Sequence, residues 1–212
     1  YVTNYKNIQF IWFNQKFSKL SLSFLALNNG YQYENLVENK FQVAYLQTIG
    51  TYGKWDASKF YGDFGLYAQT GEAAITNDKV DVDAYYAGFN LGYKFTNSFK
   101  AELGFEYLSG KDQNDTDTKV KSFTPLFGTN HGFNGLMDYF YVGNHKNSVG
   151  LQDFYTKFIY DKNKWQVTLA PHVFYSAVSV YNMTTLEEQD SYLGAEIDLT
   201  ATYKLDKNFV IS

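Results

Sequence analysis

Residues 193–205 read LGAEIDLTATYKL, and every odd-numbered position in this stretch is apolar. The even-numbered positions between them hold glycine, threonine, lysine and carboxylates. A period of two held over this length is typical of a β-strand with one apolar and one polar face, and no helix produces it. The same alternation recurs at residues 85–95, 99–107 and 165–175. The pattern therefore predicts an all-β protein.

The alternation, together with the turn-forming residues between alternating runs, predicts nine strands and the start of a tenth. Soluble sheets favour strands of ~5–6 residues, whereas tilted strands that cross a membrane need ~9–11. Several of the predicted strands are longer than either value, which favours a transmembrane barrel. The predicted strands cover residues 4–14, 17–28, 39–52, 58–71, 80–95, 98–110, 149–161, 164–179 and 190–205, and the last begins at 208.

The links between the predicted strands alternate between short and long, as in bacterial outer-membrane barrels with tight periplasmic turns and longer outside loops. The alternative is a soluble β-sandwich or a lipocalin-like barrel, which also alternates. A small soluble core would struggle to hide 20 Tyr and 19 Phe. We therefore predict an antiparallel transmembrane β-barrel in the bacterial outer membrane, in which residues 1–212 form a single barrel segment with a long loop at 111–148.

The composition excludes several classes of protein and site. The chain has no Cys, so it has no disulfide, iron–sulfur site or thiol catalyst. All 18 basic residues are Lys and the net charge is -4, which argues against a nucleic-acid partner. No motif suggests a cofactor.

The predicted topology also suggests that the sequence is part of something larger. If the short links face the periplasm, the first strand starts on the extracellular side, whereas complete bacterial barrels have an even number of strands and both ends in the periplasm. We expect a contiguous piece of a longer barrel of about 18 strands; a closed barrel with an odd number of strands is the alternative.

Charged residues at the polar positions of the predicted strands would line the pore. They either stabilise the water-exposed wall by pairing with one another or select the solute where they lie at a constriction. The sequence does not decide between these two roles. The predicted pore-lining residues are Lys94, Lys100, Glu102, Glu106, Asp153, Lys157, Glu196, Asp198 and Lys204.

The loop at 111–148 has two unlike halves. Its acidic first half has spacing loosely like that of a calcium loop, but it lacks the Gly and the final Glu of an EF-hand. Its second half is rich in aromatic residues, which an exposed loop has no reason to carry unless it packs on something. It would either fold into the pore as a constriction or dock a partner. The candidate residues are Phe127, Asn130, His131, Phe133, Asp138, Tyr139, Tyr141 and His145.

Catalysis and metal binding have weak support. His131, Asp138 and His145 share one loop, but their spacing is unspecific. His172 falls on the polar face of its strand near Thr168 and Ser176, and no Asp or Asn stands at a telling spacing to orient it. The prediction is a protein that is not an enzyme and holds no metal.

The long loop and the strand after it resemble the alginate-export family of outer-membrane barrels of Gram-negative gliding-type bacteria. The resemblance rests on GTNH at 128–131, FNG at 133–135, MDYFY at 137–141 and VGLQD at 149–153, and it spans residues 120–205. It implies an 18-stranded porin-like barrel that conducts an anionic polysaccharide or a similar solute. Pores for alginate would use Arg to pair with carboxylates. The chain has no Arg, so a more general conduit is favoured.

The predicted function is a porin-like channel that passes a polar solute or saccharide across the outer membrane. The alternative is a structural barrel subunit whose aromatic loop docks a protein partner in a cell-envelope complex. The expected partners are outer-membrane lipid and lipopolysaccharide, the solute, and in the alternative that envelope protein.

Overall fold

The computed structural model describes residues 5–127, 133–182, 184–206 and 209–212, and within them the chain is built from β-strands. Ten strands form one antiparallel sheet in the order β1-β2-β3-β4-β5-β6-β7-β8-β11-β12, and β9 and β10 form a separate hairpin. The strands are β1 (Tyr5–Phe17), β2 (Leu20–Asn35), β3 (Lys40–Ala57), β4 (Phe60–Ala74), β5 (Lys79–Lys94), β6 (Phe99–Leu108), β7 (Leu151–Lys162), β8 (Trp165–Tyr175), β9 (Val180–Tyr181), β10 (Glu188–Gln189), β11 (Tyr192–Lys204) and β12 (Val210–Ile211).

The predicted all-β antiparallel meander of about ten strands is confirmed. The sheet is not closed: it runs from β1 at one edge to β12 at the other. Each strand of the sheet pairs with its nearest strand neighbour in sequence, as the pairing of β2 with β3 from Leu20↔Trp55 to Asn35↔Lys40 illustrates.

The register fixes which side chains share a face, because residues directly opposite each other on paired strands point the same way. We call the face that carries Ala84, Leu108 and Phe174 the inner face, and the opposite one the outer face. These three residues are nearly inaccessible to solvent.

Two of the predicted long links are wrong. The stretch 28–39 was predicted as a link, but β2 continues to Asn35; the stretch 71–80 was predicted likewise, but β4 continues to Ala74. In β2 the amide of Asn28 donates to Gln9 and accepts from Gln47, each at 2.7 Å. Hydrogen bonds between side-chain amides of neighbouring strands thus keep this polar sequence in the sheet, although its local composition predicts a turn. The remaining turns at 36–39 and 75–78 are short, so the alternation of link lengths is weaker than predicted.

The strand predicted at 164–179 ends early. β8 stops at Tyr175, and the backbone N–H groups of Ala177 and Val178 both donate to the carbonyl of Val149 at 3.2 Å. The predicted link after it contains the short β9–β10 hairpin, which the sequence analysis missed.

The described residues of 109–150, which we call the covering segment, lie over the inner face and contain one short 3-10 turn, Val142–Asn144. Val120 forms a parallel bridge with Val82, and its N–H donates to Asp81 at 2.8 Å. Phe123 joins the buried cluster of the sheet, which includes Leu46 and Leu151. The apolar core therefore lies between the sheet and the covering segment, on the same face as the charged residues considered next.

Candidate functional site

All nine predicted pore-lining residues lie on the inner face. Glu106 is opposite Asp153, and Glu102 is opposite Lys157. Lys94 is opposite Lys100. In β11, Glu196 is opposite His172, while Asp198 and Lys204 follow at even spacing. The register brings residues from four sequence regions onto one surface.

Several of these charges have partners within the sheet. Lys94 contacts both carboxylate oxygens of Asp56 at 2.8 Å. The hydroxyl of Tyr61 donates to Glu102 at 2.8 Å. Lys100 lies over the ring of Tyr61, with 5.4 Å from Nζ to the ring centroid. Neither Asp56 nor Tyr61 was singled out from the sequence, because nothing in their local pattern shows which residue lies across the sheet.

Asp153 and His172 form a buried pair in the middle of the face. The Nδ1 atom of His172 lies 2.9 and 3.0 Å from the two carboxylate oxygens of Asp153. Its ring stacks on Tyr155 with centroids 4.9 Å apart. The sequence analysis found no residue to orient His172; the register supplies Asp153 from the neighbouring strand.

The other ring nitrogen of His172 faces a carboxylate. Nε2 lies 3.9 Å from Asp198, so the imidazole sits between two acids. In a hydrolytic triad this nitrogen would face a hydroxyl nucleophile. The arrangement therefore joins β7, β8 and β11 and keeps two carboxylates in place on the wall. Among the described residues, no group of three or more His, Asp or Glu side chains is arranged to hold a metal ion.

Carboxylates of the inner face anchor the covering segment. Glu196 accepts hydrogen bonds from the backbone N–H groups of Leu136 and Met137 at 2.7 and 2.8 Å. Asp198 also accepts from Leu136 at 3.1 Å. The amide of Asn134 donates to Glu106 at 2.9 Å. Such bonds to charged acceptors are among the stronger hydrogen bonds in proteins.

Gly135 lies where the covering segment meets the carboxylate of Glu196. Its φ of +87° lies in the left-handed region, and a Cβ added there would lie 2.5 Å from Oε2 of Glu196. Only glycine fits this contact without strain. The backbone and the carboxylate can therefore meet directly.

Aromatic residues of the covering segment are divided between the core and the surface. Phe140 packs on Phe174 with centroids 4.6 Å apart, and Phe123 packs on Tyr86 at 5.6 Å. In contrast, Met137 and Tyr139 are 74% and 75% exposed. The segment is thus attached through one side and presents apolar groups on the other.

The predicted loop residues are therefore not one cluster. Phe127 is exposed and contacts the ring of Tyr5 at 5.8 Å, and Phe133 is also exposed. His145 is buried, and burial lowers its pKa below the usual value of 6.5. Tyr141 is partly buried, and Asp138 adopts a φ of 56°. Asn130 and His131 lie outside the described residues, so the grouping of His131 with Asp138 and His145 stays a sequence prediction.

The acidic half of the loop binds its own lysine. Lys121 contacts Asp115 at 2.6 Å and Asp117 at 3.1 Å. The hydrogen bond from Lys121 lowers the pKa of Asp115. The pKa of Asp117 is lowered first by the hydrogen bond from the backbone N–H of Lys119 and next by the one from Lys121. Two of the three aspartates whose spacing suggested a calcium loop, Asp112, Asp115 and Asp117, are thus paired with an ammonium group.

A cavity of about 570 Å³ lies between the covering segment and the inner face of β2–β7. Its lining includes Tyr52, Tyr67, Asp63 and Asn90, none of which the sequence analysis proposed. It is the place where a solute on the inner face would meet both the wall and the segment.

The outer face has the opposite character. The register places Phe89, Phe105 and Phe154 side by side across three strands, followed by Val173 and then Ala195 on the next two. Leu103 and Ile197 are 63% and 73% exposed. The sheet therefore exposes apolar side chains on one face and buries the carboxylates of Asp153, Glu196 and Asp198 on the other.

The described part of the chain contains no helix that is both long and apolar enough to cross a membrane. Comparison with known proteins finds no matching family model and no matching curated sequence.

Proposed function

We propose that this chain forms part of the wall of a porin-like channel in the bacterial outer membrane. The channel passes a polar solute or saccharide along the inner face. One observation carries the proposal: the outer face exposes apolar side chains such as Leu103 and Ile197, whereas the charged side chains of Asp153, Glu196 and Asp198 on the inner face are buried. A sheet in water would bury its apolar face, and a sheet in lipid would expose it.

Strand length supports the same proposal. The main strands β1–β8 and β11 run from 10 to 18 residues. At ~9–11 residues for a tilted membrane crossing, each is long enough to span the hydrocarbon layer. The open edges at β1 and β12 leave room for further strands, as the 18-stranded architecture implied by the resemblance would require.

The covering segment would narrow such a channel. Its attachment to Glu106, Glu196 and Asp198 places it against the polar wall. Four carboxylates in this region, those three and Asp153, give little support to an anionic polysaccharide such as alginate as the solute. A polar or neutral solute is a better match.

Conductance tests this proposal. The purified full-length protein in planar bilayers should give stepwise currents, and deletion of 120–148 should enlarge them because a constriction is removed. Heat-modifiable migration on detergent gels should show that both proteins fold. Silent membranes with a folded protein would refute the channel.

The alternative function, docking of an envelope protein, is favoured by a different observation: the exposed Met137 and Tyr139 on the free side of the covering segment. The double substitution Met137→Ser and Tyr139→Ser should then release a co-purifying partner. Val37→Ser, at a turn residue that is 96% exposed, is the matched control and should release nothing. Retention of the partner by the double variant would exclude docking through this surface.

A further inference from the structure

Two glycines in the lining of the cavity are opposite each other on β4 and β5. Gly65 is opposite Gly88, with Tyr52 beyond Gly65 and Glu106 beyond Gly88 in the same row. Of these four positions, only the outer two carry side chains. Tyr86 lies over Gly88, where an added Cβ would be 2.3 Å from the hydroxyl oxygen, so the peptide backbone is left uncovered at Gly65 and forms the floor of the cavity there.

Aromatic rings form the walls of this depression. Tyr67 and Tyr86 are opposite each other in the neighbouring row, with ring centroids 6.0 Å apart. A Cβ added to Gly65 would lie 3.3 Å from a ring atom of Tyr67 and 3.4 Å from one of Tyr86. The two rings therefore border the space directly above the floor, and a ring-shaped ligand in that space would contact both.

Polar groups are held in fixed orientations on the other side of the floor. Asn90 donates to one carboxylate oxygen of Asp63 at 3.0 Å and accepts from the hydroxyl of Tyr155 at 2.6 Å. The hydroxyl of Tyr86 donates to Glu106 at 3.2 Å. Asn90 has a second amide hydrogen and Asp63 a second oxygen. Oriented donors and acceptors thus lie beside an apolar surface.

We propose that this cavity binds one ring of a neutral saccharide. A pyranose has apolar C–H faces, which pack on aromatic rings, and an edge of hydroxyls, which need both donors and acceptors. The volume of about 570 Å³ lies within the range of ~300–1,000 Å³ usual for small-molecule sites. The inference rests on the proposed function, since it names the class of solute that the channel would carry.

Charge separates a neutral sugar from the two charged alternatives. Asp63 and Glu106 line the cavity and would repel a uronate. Lys157 also lines it, and its ammonium group already lies 4.8 Å from the ring centroid of Tyr155, where an organic cation would bind. The two carboxylates therefore disfavour an anion, and Lys157 already occupies the aromatic face of Tyr155 on which an organic cation would stack.

Calorimetry on the detergent-purified full-length protein tests the site without relying on transport. The probes are neutral hexasaccharides (maltohexaose, cellohexaose, mannohexaose and chitohexaose), a hexa-uronate and tetraethylammonium. At least one neutral hexasaccharide should bind, and the two charged probes should not. Binding of the uronate or of tetraethylammonium in preference to all four sugars would overturn the proposal, and so would no heat from any of the sugars.

Two variants locate the site. Gly65→Val fills the floor and should weaken the bound sugar by about tenfold or more, while Ala87→Val adds bulk to the outer face of β5 and should leave binding unchanged. Asp63→Asn preserves the shape, and it should raise binding of the uronate because a repelling charge is removed. Unchanged sugar binding by a folded Gly65→Val protein, checked by heat-modifiable migration, would place the ligand elsewhere.

Failure of this inference and failure of the channel can be told apart. Currents that no sugar blocks, in a protein that binds no sugar, would refute the site and leave the channel standing. Sugar binding that Gly65→Val abolishes, in a protein that gives no current, would refute the channel and leave the site standing.

Discussion

A lysine on the outer face provides the sharpest test of which solvent that face meets. Ile197 is 73% exposed and lies near the middle of β11, a strand of 13 residues. At ~3.3 Å per residue the strand is about 43 Å long. Tilted by ~45°, it rises about 30 Å, which is the thickness of the hydrocarbon layer. Ile197 would then lie near the bilayer midplane.

The two environments predict different energies for Ile197→Lys. In lipid, a lysine near the midplane should destabilise the fold by ~2–4 kcal/mol. In water, a change at so exposed a position should stay within about 0.5 kcal/mol. Thr200→Lys is the matched control, because Thr200 lies in the same strand but on the inner face, opposite Thr168. It should cost less than about 1 kcal/mol in either environment.

Reversible denaturant unfolding of the full-length protein in lipid vesicles measures both values. Leu103→Lys, at a second exposed outer-face position in β6, should repeat the result for Ile197. If Ile197→Lys and Thr200→Lys had equal, small effects on the free energy of unfolding, the outer face would not meet lipid. The argument from the apolar face to the membrane would then fail.

Three further predictions concern the covering segment. Glu196→Ala removes the acceptor for two backbone N–H groups, so it should weaken the attachment of the covering segment to the sheet by ~1.5–3 kcal/mol. Proteolysis within the segment should then be faster. Glu187→Ala, at an exposed position, is the control and should change neither. Gly135→Ala should act in the same direction by ~1–3 kcal/mol, because it places a Cβ against Glu196 at a left-handed φ; equal proteolysis of variant and parent would contradict this. Burial lowers the pKa of His145, so a released His145 takes up a proton more readily than the buried one, and attachment should weaken as the pH falls below about 6.5. His145→Gln should flatten that pH dependence of proteolysis; an unaltered profile would show that another group titrates.

The sequence predicts faces well because one period determines them. Strict alternation at 193–205 corresponds to β11, Tyr192–Lys204, and places Glu196 and Asp198 on one face without knowledge of any neighbour. The same reasoning placed Glu102 and Glu106 of β6 on that face. Alternation failed at residues 28–35, where polar side chains stay in β2 because bonds from Asn28 to both neighbouring strands replace the local turn preference.

Contacts across the sheet were not predictable in the same way, because alternation gives the face of a residue but not its level along the strand. Asp153 and His172 are 19 positions apart, and only the register of β7 against β8 shows that they meet. The pair Gly65 and Gly88 is a similar case. Each glycine alone suggests a relief of crowding, and only the register shows that the two are opposite each other in the lining of the cavity.

The partners of the charged residues bear on whether these residues brace the wall or select the solute. Glu106, Glu196 and Asp198 bind the covering segment, Asp153 binds His172, and Glu102 binds Tyr61. Hydrogen bonds that hold the structure together keep these carboxylates in place, which is a bracing role. Lys94 is likewise paired, with Asp56.

Three lysines differ: within the described residues, Lys100, Lys157 and Lys204 have no carboxylate within ion-pair distance. Lys100 and Lys204 lie near strand ends, whereas Lys157 lies within β7 and lines the cavity. If the predicted pore-lining residues select a solute by charge, the selection therefore falls to these three lysines rather than to the acids that hold the covering segment.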